Sequence, residues 1–575
     1  MIINSTSRGI FVRSRDGDNE VSQETIPYGE FKPYFFVLED APELTNLPCS
    51  DSNGRFDLRI SYDAVGDWQN LEKKPLKKIT WSPSKPEFGR TIRNYYENHN
   101  HPTYEADVPT HFRYAVDEIH EMPVFNMRKW YWDMEWMQGG EHDGAITCIV
   151  RYDSYDKEYQ TYVWYPNTPT STDSYETWEE YCNSLWAGNK IRVFETEKKM
   201  LQRFLRDVVH TDPDMLISWF GWKFDLPKLI TRLLHHNLDA QLLSPCDEVT
   251  GVYWDKKSKK IVMNKNKVNN YSPVYQPIKG RICVPLDMAF ERQWLDSQRG
   301  TLPSMALDYI SETVLGKKKL VSEKFPDKNE FFARAWQEDE ETYLLYAKID
   351  VELLVELDNT NYITEAVLSL QRLLNAPFDA CFHASKMGSI YFMKNAPWKA
   401  PTGQRGERRA YDGAMVYDPL SEATNGLHWG VAAFDYAQLY PSMIISRNIS
   451  WETVSLAETE LKVNVKTPKD FSEEVNFDYR YFKTDELGLL PKSLLHLKDL
   501  RAKYKQNMKN ADSKEEYAKW NNNQLAVKRL MASFYGIIAY QGFGWADVRL
   551  AECITASARE AIRSAAFLVR GYDDV

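Results

Sequence analysis

The sequence lacks the features of a secreted, disulfide-bonded or membrane-spanning protein. Its seven cysteines are scattered, form no CxxC pair and are odd in number, so neither a zinc cluster nor a disulfide framework is indicated. No run approaches ~18 consecutive apolar residues, and the N-terminus MIINSTSRGIFVRSRDG has no apolar signal-peptide core. We therefore expect a soluble protein of a reducing, intracellular compartment.

Internal repeats, low-complexity segments and an excess of positive charge are also missing. The net charge of −11 and the pI near 5.6 argue against coating nucleic acid broadly, although a local basic groove can coexist with an acidic body. At 575 residues the chain exceeds the ~250–300 residues at which a single hydrophobic core stops growing. The hydrophobic fraction of 43% and the aromatic fraction of 14% supply enough material for several cores.

Two carboxylates, Asp133 and Glu135, stand two apart in the β-prone run YWDMEW. The strand period of two points both side chains to the same face. Two like charges on a buried face repel each other unless a divalent cation binds between them. The pair therefore indicates either a metal site or a solvent-facing strand surface.

Two further acids lie in apolar surroundings. Asp225 sits in MLISWFGWKFDLPKLI, where an ionised carboxylate needs a cation or hydrogen-bond donors; the alternative is a helix N-cap, since Pro227 suits an early helical position. Tyr346 and Asp350 are four apart in YLLYAKIDVELL and would share one helix face. Singly, each of these residues is also compatible with a core helix.

The order D-x-E, FD and Y-x-x-x-D resembles the Exo I, II and III motifs of the DnaQ-like proofreading nucleases. The resemblance implies an RNase H-like domain in which Tyr346 helps to place the attacking water. It also implies that two metal ions are held by four acids, Asp133, Glu135, Asp225 and Asp350. Two ions ~3.5–4 Å apart can activate a water on one side of a phosphorus atom and stabilise the leaving 3′-oxygen on the other.

Another acid, Asp435, ends an apolar strand in FDYAQLYPSMIISRNIS, where Tyr440 precedes Pro441, a residue that can start a helix. An acid at a strand end is often only a cap. The run nevertheless resembles motif A of the family B DNA polymerases, D-x-x-S-L-Y-P-S-I-I, with Gln438 in place of the usual Ser. The resemblance implies that Asp435 binds both catalytic metals and that Tyr440 packs under the incoming sugar and selects deoxynucleotides.

Two downstream runs are basic and are predicted to be helical. Arg501 and Lys505 in GLLPKSLLHLKDLRAKYK are four apart and share a helix face, which for a single cation is ordinarily a solvated face. This run resembles the fingers segment that faces the triphosphate, and QLAVKRLMASFYG resembles motif B, with Lys528 as its lysine. The run YDGA resembles the Y-x-G-G/A element that links the two active sites and tracks the template, which implies DNA contacts for Tyr411 and Gly413.

The stretch LPSMALDYISETVLGKKK resembles its counterpart in T-even-like bacteriophage polymerases. There, a hairpin such as the one predicted in GVYWDKKSKKIVMN helps to separate primer from template; a solvated lysine turn is the alternative. The chain thus resembles a phage-type family B DNA polymerase with a 3′→5′ exonuclease. This resemblance implies that primer-template DNA and dNTPs are the substrates and that each active site holds two Mg²⁺ ions, for which Mn²⁺ can substitute. It also implies a sliding clamp as a candidate partner. The expected location is the cytoplasm of an infected bacterial host.

The predicted fold is a multidomain α/β protein with an N-terminal α+β domain, an RNase H-like exonuclease and a partial palm with helical fingers. Its boundaries are 1–108 for the N-terminal accessory domain, 109–355 for the exonuclease, 356–425 for a helical connector, 426–480 for the first part of the palm, 481–545 for the fingers and 546–575 for the continued palm.

The sequence also departs from the family pattern. Phe220 stands where an Asn that contacts the frayed strand is usual, and Ala532 stands where motif B usually has Asn. Motif C, a D-T-D hairpin that supplies the second metal-binding aspartate, and the thumb are absent; Asp573 and Asp574 fall at the strand leading into motif C and are not expected to bind metal. We therefore expect a C-terminally incomplete polymerase whose missing part is a second polypeptide or unread sequence.

The sequence is also compatible with two other functions. The chain could act alone only as a 3′→5′ exonuclease, since the four acids and the tyrosine of that motif set are all present. Alternatively, it could be a non-enzymatic, DNA-binding half of a split polymerase, which the two departures favour. A nuclease assay of the chain distinguishes them.

Overall fold

The computed structural model describes residues 1–16, 18–51, 54–64, 66–137, 141–164, 175–185, 189–272, 276–296, 300–403, 410–415, 427, 429–430, 435–469 and 474–570. Asp573 and Asp574 lie outside these ranges. The strands are β1 (Ile2–Ser5), β2 (Gly9–Arg15), β3 (Val21–Pro27), β4 (Phe35–Leu38), β5 (Asn46–Asp51), β6 (Gly54–Asp63), β7 (Leu76–Ser82), β8 (Thr103–Tyr104), β9 (Lys129–Trp136), β10 (Ile146–Asp153), β11 (Glu158–Trp164), β12 (Asn189–Phe194), β13 (Met215–Ser218), β14 (Val252–Asp255), β15 (Lys260–Met263), β16 (Ile282–Pro285), β17 (Val454–Ser455), β18 (Leu461–Asn464) and β19 (Tyr479–Phe482).

The α-helices are α1 (Pro86–Asn98), α2 (Thr110–Asp117), α3 (Tyr175–Leu185), α4 (Glu197–Thr211), α5 (Asp225–His235), α6 (Lys265–Val268), α7 (Leu286–Asp296), α8 (Leu307–Leu315), α9 (Lys328–Glu338), α10 (Glu340–Asn361), α11 (Ile363–Leu374), α12 (Ala384–Asn395), α13 (Leu439–Ser446), α14 (Leu489–Lys509), α15 (Lys514–Ile538) and α16 (Val548–Arg570). Short 3-10 helices span Ala240–Leu243 and Phe378–Phe382. No helix within the described ranges combines the length and the apolar composition that crossing a bilayer requires.

The chain packs into two compact units, and each unit combines segments that are distant in sequence. The first unit contains Met1–Glu30 and Asp117–Phe382, and the second contains Phe31–Val116 and His383–Val575. The segment predicted as an N-terminal domain, 1–108, is therefore divided between the two units. The mixed α/β multidomain class is confirmed, and the predicted functional boundaries stay a proposal.

A six-stranded mixed sheet organises the first unit. Its strand order is β12-β11-β10-β9-β13-β16, in which β9 is antiparallel to β10 and parallel to β13. The aromatic run of β9 suits a central strand, and Trp130 and Trp132 are almost completely buried in the core between the sheet and helices α4 and α5. On β9, Asp133 lies opposite Val150 and Glu135 lies opposite Cys148.

The first strands of the chain are fastened to this sheet by buried ion pairs. Arg13 Nε and Arg15 Nε, both on β2, donate to the two carboxylate oxygens of Asp214 at 3.1 and 2.5 Å. Asp214 precedes β13 and is itself buried. A buried carboxylate needs such donors, so residues 1–30 belong structurally with the sheet.

The second unit contains a five-stranded antiparallel sheet, β5-β6-β7-β4-β8, covered by α1. It also contains the small sheet β17-β19-β18 and the helices α12 to α16, of which α14 and α15 pack side by side. Helix α13 begins at Leu439, so Pro441 lies in its first turn, where proline is tolerated. In the first unit, the predicted hairpin is confirmed as β14 and β15.

Candidate functional site

Carboxylates from separate elements meet beside the central strand β9. Asp133 and Glu135 come from β9 and Asp350 comes from α10, and one carboxylate oxygen of each lies within 4.8 Å of the others. Asp225, the first residue of α5, and Tyr346 on α10 line the same cavity, whose volume is about 380 Å³. The structure thus brings the residues of the three predicted nuclease motifs to one place.

The turn between β13 and α5 sets the position of Asp225. The N-cap position of α5 is Phe224, so the alternative N-cap role for Asp225 does not apply. A carboxylate in the first helical turn is stabilised by the helix dipole, and the hydroxyl of Ser218 donates a hydrogen bond to Asp225. A Cβ at position 221 would lie 2.0 Å from Ser218 Oγ, so a side chain there would displace the hydroxyl that donates to Asp225.

Burial and mutual repulsion oppose ionisation of the clustered acids. Burial raises the pKa of Glu135 to about 8, and the neighbouring Asp350 adds to the rise. Burial also raises the pKa of Asp225 to about 7, against the effect of the Ser218 hydrogen bond. The pKa of Asp133 is raised well above its usual range by burial and then by the charges of Asp225, Asp350 and Glu135. A divalent cation would reverse these effects, because it stabilises the ionised form of every ligand.

A lysine that the motifs did not indicate lies inside the cluster. Lys319 Nζ donates to Asp350 Oδ2 at 2.5 Å and lies 5.8 Å from the centre of the Tyr346 ring. Although burial acts in the opposite direction, Asp350 and Tyr346 raise the pKa of Lys319 above its usual value. In the sequence this residue is the last of three consecutive lysines, and nothing in that run distinguishes it from its neighbours.

The second carboxylate oxygen of Asp350 is suited to bind a metal ion. Asp350 Oδ1 is buried and has no hydrogen-bond partner among the described residues, and buried polar atoms are rarely left in that state. Hard divalent cations prefer carboxylate oxygens. The donor set of Asp133, Glu135 and Asp350 therefore fits the divalent cations expected from the sequence.

Another buried acid, Asp358, links β9 and α10, the two elements that carry Asp133, Glu135 and Asp350. Asp358 Oδ2 on α10 accepts hydrogen bonds from the hydroxyls of Tyr131 on β9 and Thr364, the latter at 2.7 Å. Lys129 Nζ lies 3.5 Å from the same oxygen. Asp358 was not among the residues predicted from the sequence, although an acid within an apolar helical run is a recognisable signal.

Three cations predicted to face a triphosphate lie close together in the second unit. The charge of Arg501 on α14 lowers the pKa of Lys505, burial adds to this, and Lys509 and Lys528 lower it further. Arg501 Nε donates to Gln524 Oε1 on α15 at 3.1 Å, which bridges the two helices. Cations that destabilise one another in this way favour binding of a polyanion.

The tyrosines of the predicted polymerase motifs also meet. The ring centres of Tyr440 and Tyr535 are 4.4 Å apart, and the hydroxyls of Tyr411 and Tyr535 are 3.2 Å apart. Asp435 is exposed and lies shortly before α13. The structure therefore brings Tyr411 and Tyr440 together around Tyr535, a residue of the motif B run.

Arg559 fixes the segment that contains Gly413. Its guanidinium is fully buried and donates to the carbonyl oxygens of Asp412, Gly413 and Thr467, each at 2.7 Å. Thr555 Oγ1 donates to the same Asp412 oxygen at 2.7 Å. Sequence reasoning missed Arg559, because an arginine in a helix gives no sign that its partners are distant backbone carbonyls.

We predict that the metal-free chain loses stability as the pH rises from about 4 to 8. Because the pKa values of Asp225 and Glu135 are raised in the folded state to about 7 and about 8, the folded protein holds these protons more tightly than the unfolded chain. The contribution is fully present below the unfolded-state pKa values of about 4, declines above them and is lost once the pH exceeds the folded-state values. Thermal unfolding in EDTA across this range measures it.

The matched variant for that experiment is Asp133→Asn combined with Glu135→Gln. Removing two of the ionisable groups should flatten the dependence of Tm on pH between about 4 and 8. Added Mg²⁺ should raise the Tm of the unmodified chain more at pH 8.5 than at pH 6, because only ionised carboxylates bind the ion. An identical slope in both proteins would contradict the electrostatic account of the cluster.

Two family descriptions match the chain. "DNA polymerase family B, exonuclease domain" matches residues 144–289, a range that includes Asp225. "DNA polymerase family B" matches residues 347–573, a range that includes Asp350 and Asp435. The two matches include Asp225, Asp350 and Asp435, whereas Asp133, Glu135 and Tyr346 lie outside both ranges.

Curated relatives of the chain are named DNA polymerases. The DNA polymerase of Pyrococcus glycovorans is 28% identical over 386 residues, and that of Thermococcus sp. (strain 9oN-7) is 29% identical over 390 residues. DNA polymerase 1 of Pyrococcus abyssi is 26% identical over 393 residues. Each alignment covers 65% of this chain and 44% of the relative, so the chain spans less than half the length of these relatives.

These relatives are archaeal and do not support the bacteriophage subtype predicted from the sequence. The prediction of a family B DNA polymerase with an exonuclease domain is confirmed by the two family matches together with the relatives. The chain belongs to the family B DNA polymerases and carries their exonuclease domain.

Proposed function

We propose that this chain provides the 3′→5′ proofreading exonuclease and the nucleotide-binding part of a DNA-directed DNA polymerase of DNA replication. The observation that carries the proposal is the meeting of Asp133, Glu135 and Asp350 within 4.8 Å in a chain of this family. Its substrates are DNA with a free 3′ end, primer-template DNA and dNTPs. The exonuclease has an RNase H-like fold.

The nuclease cavity suits two divalent cations, Mg²⁺ or Mn²⁺, held by Asp133, Glu135, Asp225 and Asp350. Such ions, when bound, activate the attacking water and stabilise the leaving 3′-oxygen. Tyr346 supports the reaction by hydrogen bonding: burial, followed by the charges of Glu135 and Asp350, raises the pKa of its phenol, so the hydroxyl stays protonated and can orient a water. Lys319 offsets part of the negative charge through Asp350.

The nucleotide site is proposed to use Arg501, Lys505 and Lys528 for the triphosphate. Arg501 and Lys505 are one helical turn apart on α14, and the charge of Lys528 on α15 acts on Lys505. Tyr440, packed on Tyr535, would lie under the incoming sugar. The polymerase reaction would use a separate pair of cations, and Asp435 is proposed as a ligand of both.

Template contacts are proposed for Tyr411 and Gly413, since Arg559 fixes the backbone at Gly413. A sliding clamp and a C-terminal polypeptide with motif C and the thumb are further candidate partners. A bacteriophage origin, and with it the cytoplasm of an infected bacterial host, is supported by the sequence resemblance alone. The exonuclease-only and non-enzymatic alternatives are separated by the following experiments.

We predict that Asp133→Ala combined with Glu135→Ala abolishes Mg²⁺- or Mn²⁺-dependent degradation of single-stranded DNA. The physical reason is that two of the oxygen ligands for the cations are removed. Folding should survive, because loss of two mutually repelling acids relieves electrostatic strain in the metal-free protein. Release of terminal nucleotides from a labelled oligonucleotide measures the activity.

A suitable control for the double variant is Asp156→Ala, which changes an exposed acid that pairs with Arg128 on the surface. It should degrade DNA at the rate of the unmodified chain. Undiminished degradation by the double variant would place the nuclease site elsewhere. Metal-independent binding of DNA without any degradation by the unmodified chain would favour the non-enzymatic alternative.

We predict that Lys528→Ala weakens dNTP binding by roughly tenfold or more, because a charge-assisted contact to phosphate contributes about 1.5–3 kcal/mol. Exonuclease turnover should stay unchanged, since the nuclease acids and Lys528 belong to separate units. Equilibrium binding of a fluorescent dNTP and the oligonucleotide assay measure the two functions. A parallel loss of both functions without unfolding would contradict their assignment to separate sites.

A further inference from the structure

A buried glutamine lies between the two helices that carry the cations proposed for the triphosphate. Gln524 on α15 keeps only 6% of its surface exposed, and its Oε1 accepts a hydrogen bond from Arg501 Nε on α14 at 3.1 Å. Residues four apart on a helix share a face, so Gln524 lies on the face of α15 that carries Lys528. The amide is therefore placed beside the proposed nucleotide site.

The orientation of this amide is fixed by its two partners. An arginine side chain only donates hydrogen bonds, so the atom of Gln524 that faces Arg501 is its oxygen. The Nε2 amide group then donates to Asn521 Oδ1, which lies three residues earlier on α15, at 3.0 Å. Both polar atoms of the buried side chain are therefore paired, as buried amides require.

The hydrogen bond to Gln524 uses the inner nitrogen of the Arg501 guanidinium and leaves its outer end for a ligand. The four N–H bonds of Nη1 and Nη2 form the fork that can bind two phosphate oxygens at once. Within the part of the chain that the structure describes, no carboxylate pairs with Arg501. Burial lowers the pKa of Arg501, so contact with a phosphate anion would stabilise its charged form.

An amide at position 524 orients the guanidinium without neutralising it. A carboxylate at this position would also accept from Nε, but its negative charge would offset the positive charge that attracts a triphosphate. An apolar side chain would leave Arg501 to sample several rotamers, and ordering such a long side chain on binding costs conformational entropy. A buried glutamine avoids both costs.

We infer that Gln524 is a positioning residue for nucleotide binding, which holds Arg501 by its Nε so that both terminal nitrogens face the triphosphate. The inference rests on the proposed function of Arg501, Lys505 and Lys528 as the triphosphate cations. Gln524 itself contacts no phosphate. It reduces the conformational entropy that Arg501 loses on binding and leaves the charge of Arg501 uncompensated by the protein.

The test is a double-mutant cycle on the equilibrium binding of a fluorescent dNTP in Mg²⁺. Gln524→Met removes the hydrogen-bond acceptor but keeps an unbranched side chain of similar length, and it should raise the Kd of the dNTP roughly threefold or more. Arg501→Ala should also raise this Kd. In the Arg501→Ala background, Gln524→Met should change the Kd no further, because the group that Gln524 positions is gone.

A second variant separates positioning of the arginine from packing of the helices. Gln524→Glu keeps an acceptor for Arg501 Nε, so a glutamine that only joined α14 to α15 would tolerate the change without loss of dNTP affinity. The positioning role predicts a raised Kd, since the new carboxylate offsets the charge of Arg501. A Kd equal to that of the unmodified chain would overturn the inference.

The matched control is Gln371→Met, which removes another buried glutamine, whose Nε2 donates to Met1 O at 2.9 Å in the first unit. It should leave the Kd of the dNTP unchanged. Equal increases of the Kd by Gln524→Met with and without Arg501 would overturn the inference, because they would show that Gln524 acts through helix packing. Thermal unfolding of each variant identifies those that fail to fold.

The same measurements keep the inference separate from the proposed function. If Arg501→Ala raises the Kd but Gln524→Met does not, Gln524 is not a positioning residue and the proposed nucleotide site stands. If Arg501→Ala leaves the Kd unchanged, the proposed nucleotide site is wrong and the role of Gln524 fails with it.

Discussion

Carboxylates crowded into a shielded cavity repel one another, and the nuclease region of this protein is built around that repulsion. Burial and neighbouring charges raise the pKa values of Asp133, Glu135 and Asp225, so an ionised cluster requires cations. Lys319 supplies one fixed positive charge through Asp350. Even with Lys328, which also lines the cavity, the ammonium groups do not balance four carboxylates, so ionisation of the acids would favour the binding of divalent cations.

Holding repelling groups together requires support from outside the cavity. Asp358 binds Tyr131 and Thr364 and so links α10 to β9. Glu197 accepts hydrogen bonds from Arg232 of α5 and from His236, which directly follows α5, and these bonds fix the helix that begins with Asp225. These contacts are local to the first unit, and they keep the ligands in place whether or not cations are bound.

The strand period predicted that Asp133 and Glu135 share a face, and the resemblance of the motif order to the DnaQ-like nucleases grouped them with Asp225 and Asp350, which line the same cavity. The sequence could not predict Lys319 or Arg559, since their partners lie far away in the chain and no periodicity encodes such contacts. The packing of residues 1–30 on the nuclease sheet was missed for the same reason: Arg13 meets Asp214 across some 200 residues. The phage subtype was inferred from one segment, whereas the family matches depend on most of the chain.

The central claim is that the acids of the first unit hold two cations at once. Electron paramagnetic resonance of Mn²⁺ titrated into the full chain tests this directly, because two ions ~3.5–4 Å apart couple magnetically. The account predicts a coupled Mn²⁺ pair that persists in Asp435→Asn and disappears in Asp350→Asn. Signals from isolated ions only, or a coupled pair that is insensitive to Asp350→Asn, would contradict it.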